Sequence, residues 1–251
     1  MAFFCLCSSK QNTTFASAQY KINTMNTIKI LIATVLFAAI YGCNVEDSGD
    51  VNQDKIWAKY ELFYNENDDK TVAVARFRFG SPTGTLLQLN EDASVTFDGE
   101  ELEYNAWYLG HTKEMAGWVD SGTFAYMDLD QLIFTNTVMP YDSIGFPDGF
   151  DTINNSMANT LTWDGNPLAP NEHVGLFVGS WTWGDDALYI QSADNATDIV
   201  MGTNQLSNVP VGPSILYMDR WTEIEADQGT SEGGVIVGKY RATNIQVQVV
   251  N

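Results

Sequence analysis

Thr71-Val72-Ala73-Val74-Ala75-Arg76-Phe77-Arg78-Phe79 decides the fold class of this chain. Successive side chains of a strand point to opposite faces, so Ala73, Ala75, Phe77 and Phe79 share one side and Val72, Val74, Arg76 and Arg78 the other. The preceding run, Ile56 to Tyr64, is apolar and aromatic, and the polar stretch Asn65 to Lys70 joins the two as a hairpin. Short runs of the same kind follow at Thr85 to Leu89, Ser94 to Phe97, Glu101 to Trp107, Gly122 to Asp128 and Leu132 to Val138. Asp98-Gly99 directly after Phe97 marks a tight turn, since glycine adopts positive φ without steric cost. No stretch carries a helical period of convincing length.

The rhythm breaks at Met139 to Ser156, where Pro140, Pro147, Asp148-Gly149 and Asn154-Asn155 crowd together. Such clusters mark linkers, which places a domain boundary near residue 150. Beyond it about seven strand-like runs fill about 100 residues, the size of an immunoglobulin-like domain. The last run alternates cleanly, with Ile245, Val247 and Val249 opposed to Gln246 and Gln248. The expectation is an all-β protein of two antiparallel β-sandwich domains, 55–150 and 151–251, the second immunoglobulin-like. A short echo, Thr96-Phe97-Asp98-Gly99 and Thr162-Trp163-Asp164-Gly165, reads as shared hairpin chemistry. The body resembles the tandem immunoglobulin-like domains of bacterial surface lipoproteins, a likeness of style that carries over no catalytic residue.

Ahead of the β-rich body, Met25 to Cys43 has the plan of a signal peptide. One cation, Lys29, precedes an apolar run from Ile30 to Ile40, and Tyr41-Gly42-Cys43 closes it. The run is short of the roughly 20 apolar residues a spanning helix needs. Ile40, Gly42 and Cys43 resemble the lipobox of bacterial lipoproteins, usually Leu-Ala/Ser-Gly/Ala-Cys, from which Tyr41 departs. The resemblance implies cleavage before Cys43, acylation of its thiol, and an outer-membrane, lipid-anchored, surface-exposed protein. Residues 25–42 are then the signal peptide, and 1–24 an upstream lead or a mis-assigned start. Residues 43–54 contain Glu46, Asp47, Asp50 and Asp54 and little to bury, which reads as a disordered acidic tether. Acidic stretches in this place are similar to the export tethers of Bacteroidota lipoproteins.

All 32 acidic residues lie after Cys43, against nine of the 12 Lys and Arg, a net charge of −23 for that part. Such a charge disfavours phosphate backbones, so nucleic acid is excluded as a partner. Cys5, Cys7 and Cys43 are the three cysteines, so the body has no disulfide to draw on and depends on apolar burial.

Motifs for catalysis are missing: no Gly-x-Ser-x-Gly, no His-Glu-x-x-His, no glycine-rich phosphate loop. His111 and His173, one in each half, read as ordinary histidines. Carboxylates are abundant enough for a glycoside-hydrolysing acid pair, but Asp128 and Asp130, or Asp185 and Asp186, read as solvated loop charges. Asn65 to Asp69 and Asp194 to Asp198 are rich in oxygen but lack the spacing of a calcium loop, leaving room for a weak calcium site and no other cofactor. Most of the seven tryptophans read as packing. Trp181 and Trp183 share a strand face and run into Gly184-Asp185, a set that would suit a glycan or protein partner. The expectation is a non-enzymatic envelope protein with a binding or structural role; the alternative is a carbohydrate-binding or carboxylate-based glycan-hydrolysing accessory lipoprotein.

Overall fold

A computed structural model describes residues 45–89, 92–179 and 184–251. The signal-peptide segment, Cys43 and both Trp181 and Trp183 lie outside the described residues. Strand β1 (Glu46–Asp47) comes first, followed by the hairpin of β2 (Ile56–Asn65) and β3 (Lys70–Phe79). Next are β4 (Leu86–Gln88), β5 (Ser94–Phe97), β6 (Glu100–Glu101) and β7 (Glu103–Asn105). Strands β8 (Gly110–Ala116), β9 (Gly122–Met127) and β10 (Ile133–Val138) complete the first half. The second half holds β11 (Thr152–Asn154), β12 (Asn159–Thr162), β13 (Glu172–Val178), β14 (Ala187–Gln191) and β15 (Asp198–Met201). A single turn of helix, α1 (Thr203–Leu206), precedes β16 (Gly212–Glu225), β17 (Gly234–Arg241) and β18 (Ile245–Val250). Among the described residues no helix is long and apolar enough to cross a membrane.

The chain is all-β, as the alternation at Thr71 to Phe79 requires, and its layers pack as a sandwich. One twelve-stranded sheet has the order β1-β4-β3-β2-β17-β16-β13-β14, with β8 and β7 continuing from β3, and β18 and β11 from β16. A four-stranded sheet, β10-β9-β5-β6, packs against its inner face: the Tyr60 and Phe124 rings lie 5.3 Å apart and those of Phe77 and Tyr126 4.5 Å. Leu161, Ile199 and Met201 of the β12-β15 pair join the same buried cluster as Val174, Leu176, Leu216 and Met218.

Four of the sequence expectations are corrected here. The boundary near residue 150 does not divide two domains, because Val45–Asn251 forms one compact unit. Strand β2 pairs with β17 in parallel through eight consecutive residues, so a strand from each half lies at the centre of one sheet. The Pro- and Gly-rich stretch is a connection that packs into the body. Tyr141 and Ile144 are buried, the Tyr141 hydroxyl donates to Val119 O, and Ile153 in β11 pairs with β18. The sheet is also mixed rather than antiparallel, since β1-β4, β2-β17 and β11-β18 are parallel pairs.

The acidic stretch after Cys43 is the third correction, for residues 45–54 are docked and not a free tether. Ser48 is fully buried, and the buried Gln53 amide donates to Ser48 O at 2.7 Å and Val51 O at 3.0 Å. The acids serve local turns and long-range contacts: Asp47 accepts from Gly49 N, and Asp54 from Ser231 N. Composition alone overlooked that these polar groups find backbone partners, which offsets their low apolar content. The echo is resolved as well. Asp98 and Gly99, with φ of 49° and 82°, form the two-residue turn between β5 and β6, whereas Asp164 sits in an isolated bridge with Gly145.

The largest fully buried side chain among the described residues is Arg220, which points from β16 into the core and is 1% exposed. It donates to the buried Glu172 carboxylate, to Asn166 O at 2.8 Å and to Pro167 O at 3.2 Å, fastening the segment before β13 to the sheet. Glu172 in turn accepts from Ala169 N at 2.8 Å. Removing one partner of a buried ion pair strands the other without water. Arg220→Ala is therefore expected to lose about 3–5 kcal/mol of stability, read as a lowered urea midpoint by tryptophan fluorescence.

Candidate functional site

The outer face of the large sheet bears an open groove of about 480 Å³ that crosses β14, β13, β16, β17 and β2. Alternation puts Ile56, Ala58, Tyr60 and Leu62 of β2 into the core and turns Lys59, Glu61 and Phe63 outward. The same rule turns Tyr217, Asp219, Trp221 and Glu223 of β16 outward while Leu216, Met218 and Arg220 go in. From β17 come Val237, Lys239 and Arg241, and from β14 the exposed Leu188 and Ile190.

Strand register lines these residues up in rows across the sheet. One row runs Leu188, Phe177, Tyr217, and the next Ile190, Gly175, Asp219, Arg241. A third runs His173, Trp221, Lys239, Phe63. Gly175 is the low point of the floor, and the Trp221 ring leans over it, so that a Cβ there would lie 3.1 Å from Cζ3 of Trp221. The His173 ring lies beside that indole, with centroids 5.2 Å apart, and its Nδ1 is 2.8 Å from Ser192 Oγ. Apolar side chains thus occupy one end of the groove and charges the other.

Four carboxylates line the groove, Glu61, Asp186, Asp219 and Glu223, and of these Glu61 and Asp219 each lie between two cations. Arg76 Nη1 donates to Glu61 Oε2 at 2.6 Å, and Lys59 Nζ stands 3.8 Å from the same oxygen. Arg241 holds Asp219 in a two-point contact, Nε to Oδ1 at 2.6 Å and Nη2 to Oδ2 at 2.8 Å, and Lys239 Nζ reaches Oδ2 at 2.7 Å. Lys239 and Arg241 also lie over the Phe63 ring, 5.2 and 5.4 Å from its centroid. Two smaller depressions extend the face, one around Trp57, Arg78 and Val235 and one around Phe63, Lys70 and Tyr108.

Burial of the Glu61 carboxylate works to raise its pKa, but the Lys59 and Arg76 charges outweigh it and hold the group below the ordinary carboxylate value. Asp219 behaves alike: burial opposes ionisation, and the Arg241 and Lys239 contacts overcome it. A carboxylate held in its ionised form makes a poor proton donor, so neither fits the general-acid half of a glycosidase pair.

Of the residues singled out in the sequence, Asp185 is exposed in the β13-β14 connection, and its neighbour Asp186 lines the groove. Trp181 and Trp183 belong to the same connection and lie outside the described residues. Among the other tryptophans, Trp57 and Trp163 are buried, while Trp118 is half exposed and Trp107 stands 95% exposed at the β7-β8 turn. His111 is buried; burial pushes its pKa down, and its Nε2 accepts from Leu89 N at 3.2 Å. The Asn65 to Asp69 tip satisfies itself, Asn65 Nδ2 donating to Asp68 Oδ2 at 2.6 Å and Tyr64 to Asp69 Oδ1 at 3.0 Å. Among the described residues no group of three His, Cys, Asp or Glu converges to hold a metal ion. Lys59, Glu61, Asp219, Trp221, Lys239 and Arg241 escaped the sequence reading. Their outward alternation is visible in the sequence, but the pairing that gathers them is not.

No family model and no curated protein matches the chain. Among solved structures, one from a study of the host cell surface retention of a 1.5-MDa bacterial ice-binding adhesin is 11% identical. It covers 78% of this chain and 65% of its own length, with a TM-score of 0.22. A tetra-tandem repeat from the extending region of a large adhesion protein is also 11% identical, with coverages of 76% and 49% and a TM-score of 0.23. This chain spans less than two thirds of either structure, and at these TM-scores neither likeness assigns it a fold or a function.

Because folding depresses the two carboxylate pKa values, their contribution is fully present above the ordinary carboxylate range and disappears as pH falls through the folded-state values. The melting temperature is expected to fall below about pH 4. In Asp219→Asn part of that slope should be gone, with the variant closest to wild type at the acidic end, as differential scanning calorimetry across pH 2.5–7 would show.

Proposed function

We propose that this chain is a lipid-anchored cell-envelope protein, acylated at Cys43 and held at the outer surface of the outer membrane, that binds a partner and catalyses no reaction. The binding role rests on the groove, where aromatic rings, a glycine floor and paired charges share one open sheet face. Binding sites of this kind combine apolar lining with a few placed polar groups. The absence of a role for Glu61 and Asp219 in acid catalysis follows from their clamped ionised state. A glycan or protein partner is the occupant class, and no cofactor is required.

Anchoring rests on the Met25 to Cys43 pattern, and the docked N-terminal segment adds a constraint to it. Val45 is two residues from Cys43, at most about 7 Å of chain. With Cys43 acylated, the body would lie close to the bilayer without a long stalk, and two or more acyl chains would make the attachment stable.

Metabolic labelling with an alkyne fatty acid in a bacterial host is expected to mark the protein and to fail with Cys43→Ala, and intact cells should present the body to added protease. A labelled Cys43→Ala variant would remove the anchor. For the binding role, Trp221→Ala is expected to weaken partner capture about fivefold or more, the scale of one lost aromatic contact, with an unchanged far-UV spectrum. Retained capture by that variant would remove the groove from the function.

A further inference from the structure

Trp107 is 95% exposed, the most open large apolar side chain among the described residues, yet the turn that carries it is fixed from several directions. The turn spans residues 106–109 between β7 and β8. Trp107 N donates to Asn105 Oδ1 at 2.9 Å, and Arg76 Nε donates to Tyr108 O at 2.9 Å. Leu109 takes a φ of 49°, a left-handed conformation rare for a bulky side chain. Gly110 closes the turn so tightly against β3 that a Cβ there would lie 2.7 Å from Ala75 O. Strain of this kind persists only where the surroundings impose it, and it gathers at functional positions. Its product here is an indole held clear of the body, with Leu109 exposed beside it.

The turn stands on the margin of the sheet where the N-terminal segment arrives. Strand β8 accompanies β3 as far as Ala75, β4 takes over at Phe77 and Arg78, and β1 lies on the far side of β4. Leu89 N, just after β4, donates to His111 Nε2 at the start of β8. Val45 adjoins Glu46 of β1 and is thus on the same margin as the turn, with Cys43 at most about 7 Å of chain away. We propose that the β7–β8 turn docks the body on the bilayer that holds the acyl chains of Cys43, the Trp107 ring and Leu109 seated at the boundary between headgroups and acyl chains. This rests on the lipid anchoring proposed above and adds an orientation to it.

Tryptophan combines a large apolar ring with one polar N–H, which suits the membrane–water interface. Because the acyl tether makes the contact intramolecular, two apolar side chains are enough to hold it. Neighbouring acids limit its depth. Glu46, Asp47, Glu100, Glu101 and Glu103 are exposed on β1, β6 and β7, and carboxylates are costly in hydrocarbon, so the turn alone enters. Strands β1 and β14 end the main run of the twelve-stranded sheet. A body docked at the β1 margin therefore holds the β14 margin, with the exposed Leu188 and Ile190, away from the lipid.

The test places the acylated protein, recovered from a bacterial envelope, in vesicles of phosphatidylcholine brominated on its acyl chains, a short-range quencher of indole fluorescence. Emission is expected to be quenched and shifted to the blue, and most of that quenching to be lost in Trp107→Ala with an unchanged melting temperature, since the side chain is almost wholly exposed. With Cys43 acylated, the body offers no other thiol, so Leu188→Cys takes a single environment-sensitive nitrobenzoxadiazole label. At the β14 margin that label is expected to keep the emission of a water-exposed probe. Equal quenching of acylated wild type and Trp107→Ala would overturn the docking and leave the anchor standing. A label at Leu188→Cys that reports lipid would overturn the orientation. Dimerisation in detergent that Trp107→Ala abolishes would give the turn to a second copy of the chain instead. A protein found without an acyl group would overturn the anchor, and the docking with it.

Discussion

The parallel pairing of β2 with β17 is the constraint on which the molecule depends. Eight residues from Ala58 to Asn65 lie beside eight from Gly234 to Arg241, strands that are more than 170 positions apart in the chain. The joint is reinforced beyond the ladder: Lys55 pairs with Glu232 at 2.7 Å, Thr230 donates to Ile56 O, and Asn67 to Ala242 O. A contact of such separation carries the entropy of ordering nearly the whole chain, and it forms only when both halves are present. The two halves are therefore parts of one sheet, and the connection at residues 139–156 has no freedom to act as a hinge.

That joint also produces the groove. In isolation, β2 would show the solvent Lys59, Glu61 and Phe63, and β17 would show Val237, Lys239 and Arg241, two ordinary polar faces. Side by side, Phe63 lies beneath Lys239 and Arg241, and Lys239, paired with Asp219, also acts on the Glu61 carboxylate. Partly buried carboxylates are stabilised in their ionised form only when cations are placed this close. Both clusters stand on strands next to the joint, so the electrostatics of the face are a consequence of the fold's longest-range contact.

This explains what could be read in the sequence. The hairpin at Ile56 to Phe79, the last strand at Ile245 to Val250 and the Asp98-Gly99 turn are local features, fixed by alternation and by glycine's access to positive φ, and each is found where expected. Val72 and Val74 show the limit of the same rule. They lie on the outer face and yet are 4% and 1% exposed, Val72 between Phe63 and Glu114 and Val74 between Glu61 and Thr112 on the strands to either side. Strand direction, the union of the halves and the docking of Glu46 to Asp54 depend on partners far away in the chain, and a period of two is blind to them. The site escapes the sequence for the same reason: Trp181, Trp183 and Asp185 are neighbours in sequence, whereas the charged clusters of the groove draw on four separate strands, β2, β3, β16 and β17.

An open sheet of this size leaves edges, and unpaired edge amides template aggregation unless they are covered. The chain handles them with side chains. At β14, the N–H of Leu188 donates to Gln205 Oε1 at 3.1 Å, so the helical turn α1 closes that edge. At β10, the N–H of Thr135 donates to Gln228 Oε1 at 2.8 Å, and Asn136 and Gln228 exchange two further hydrogen bonds. The far edge ends in β1, two residues long, with exposed Glu46 and Asp47. A glutamine carbonyl satisfies an edge amide without offering a new strand, and an acidic pair repels one. With these edges closed, the outer face of the sheet is left as the broad open surface that carries the groove.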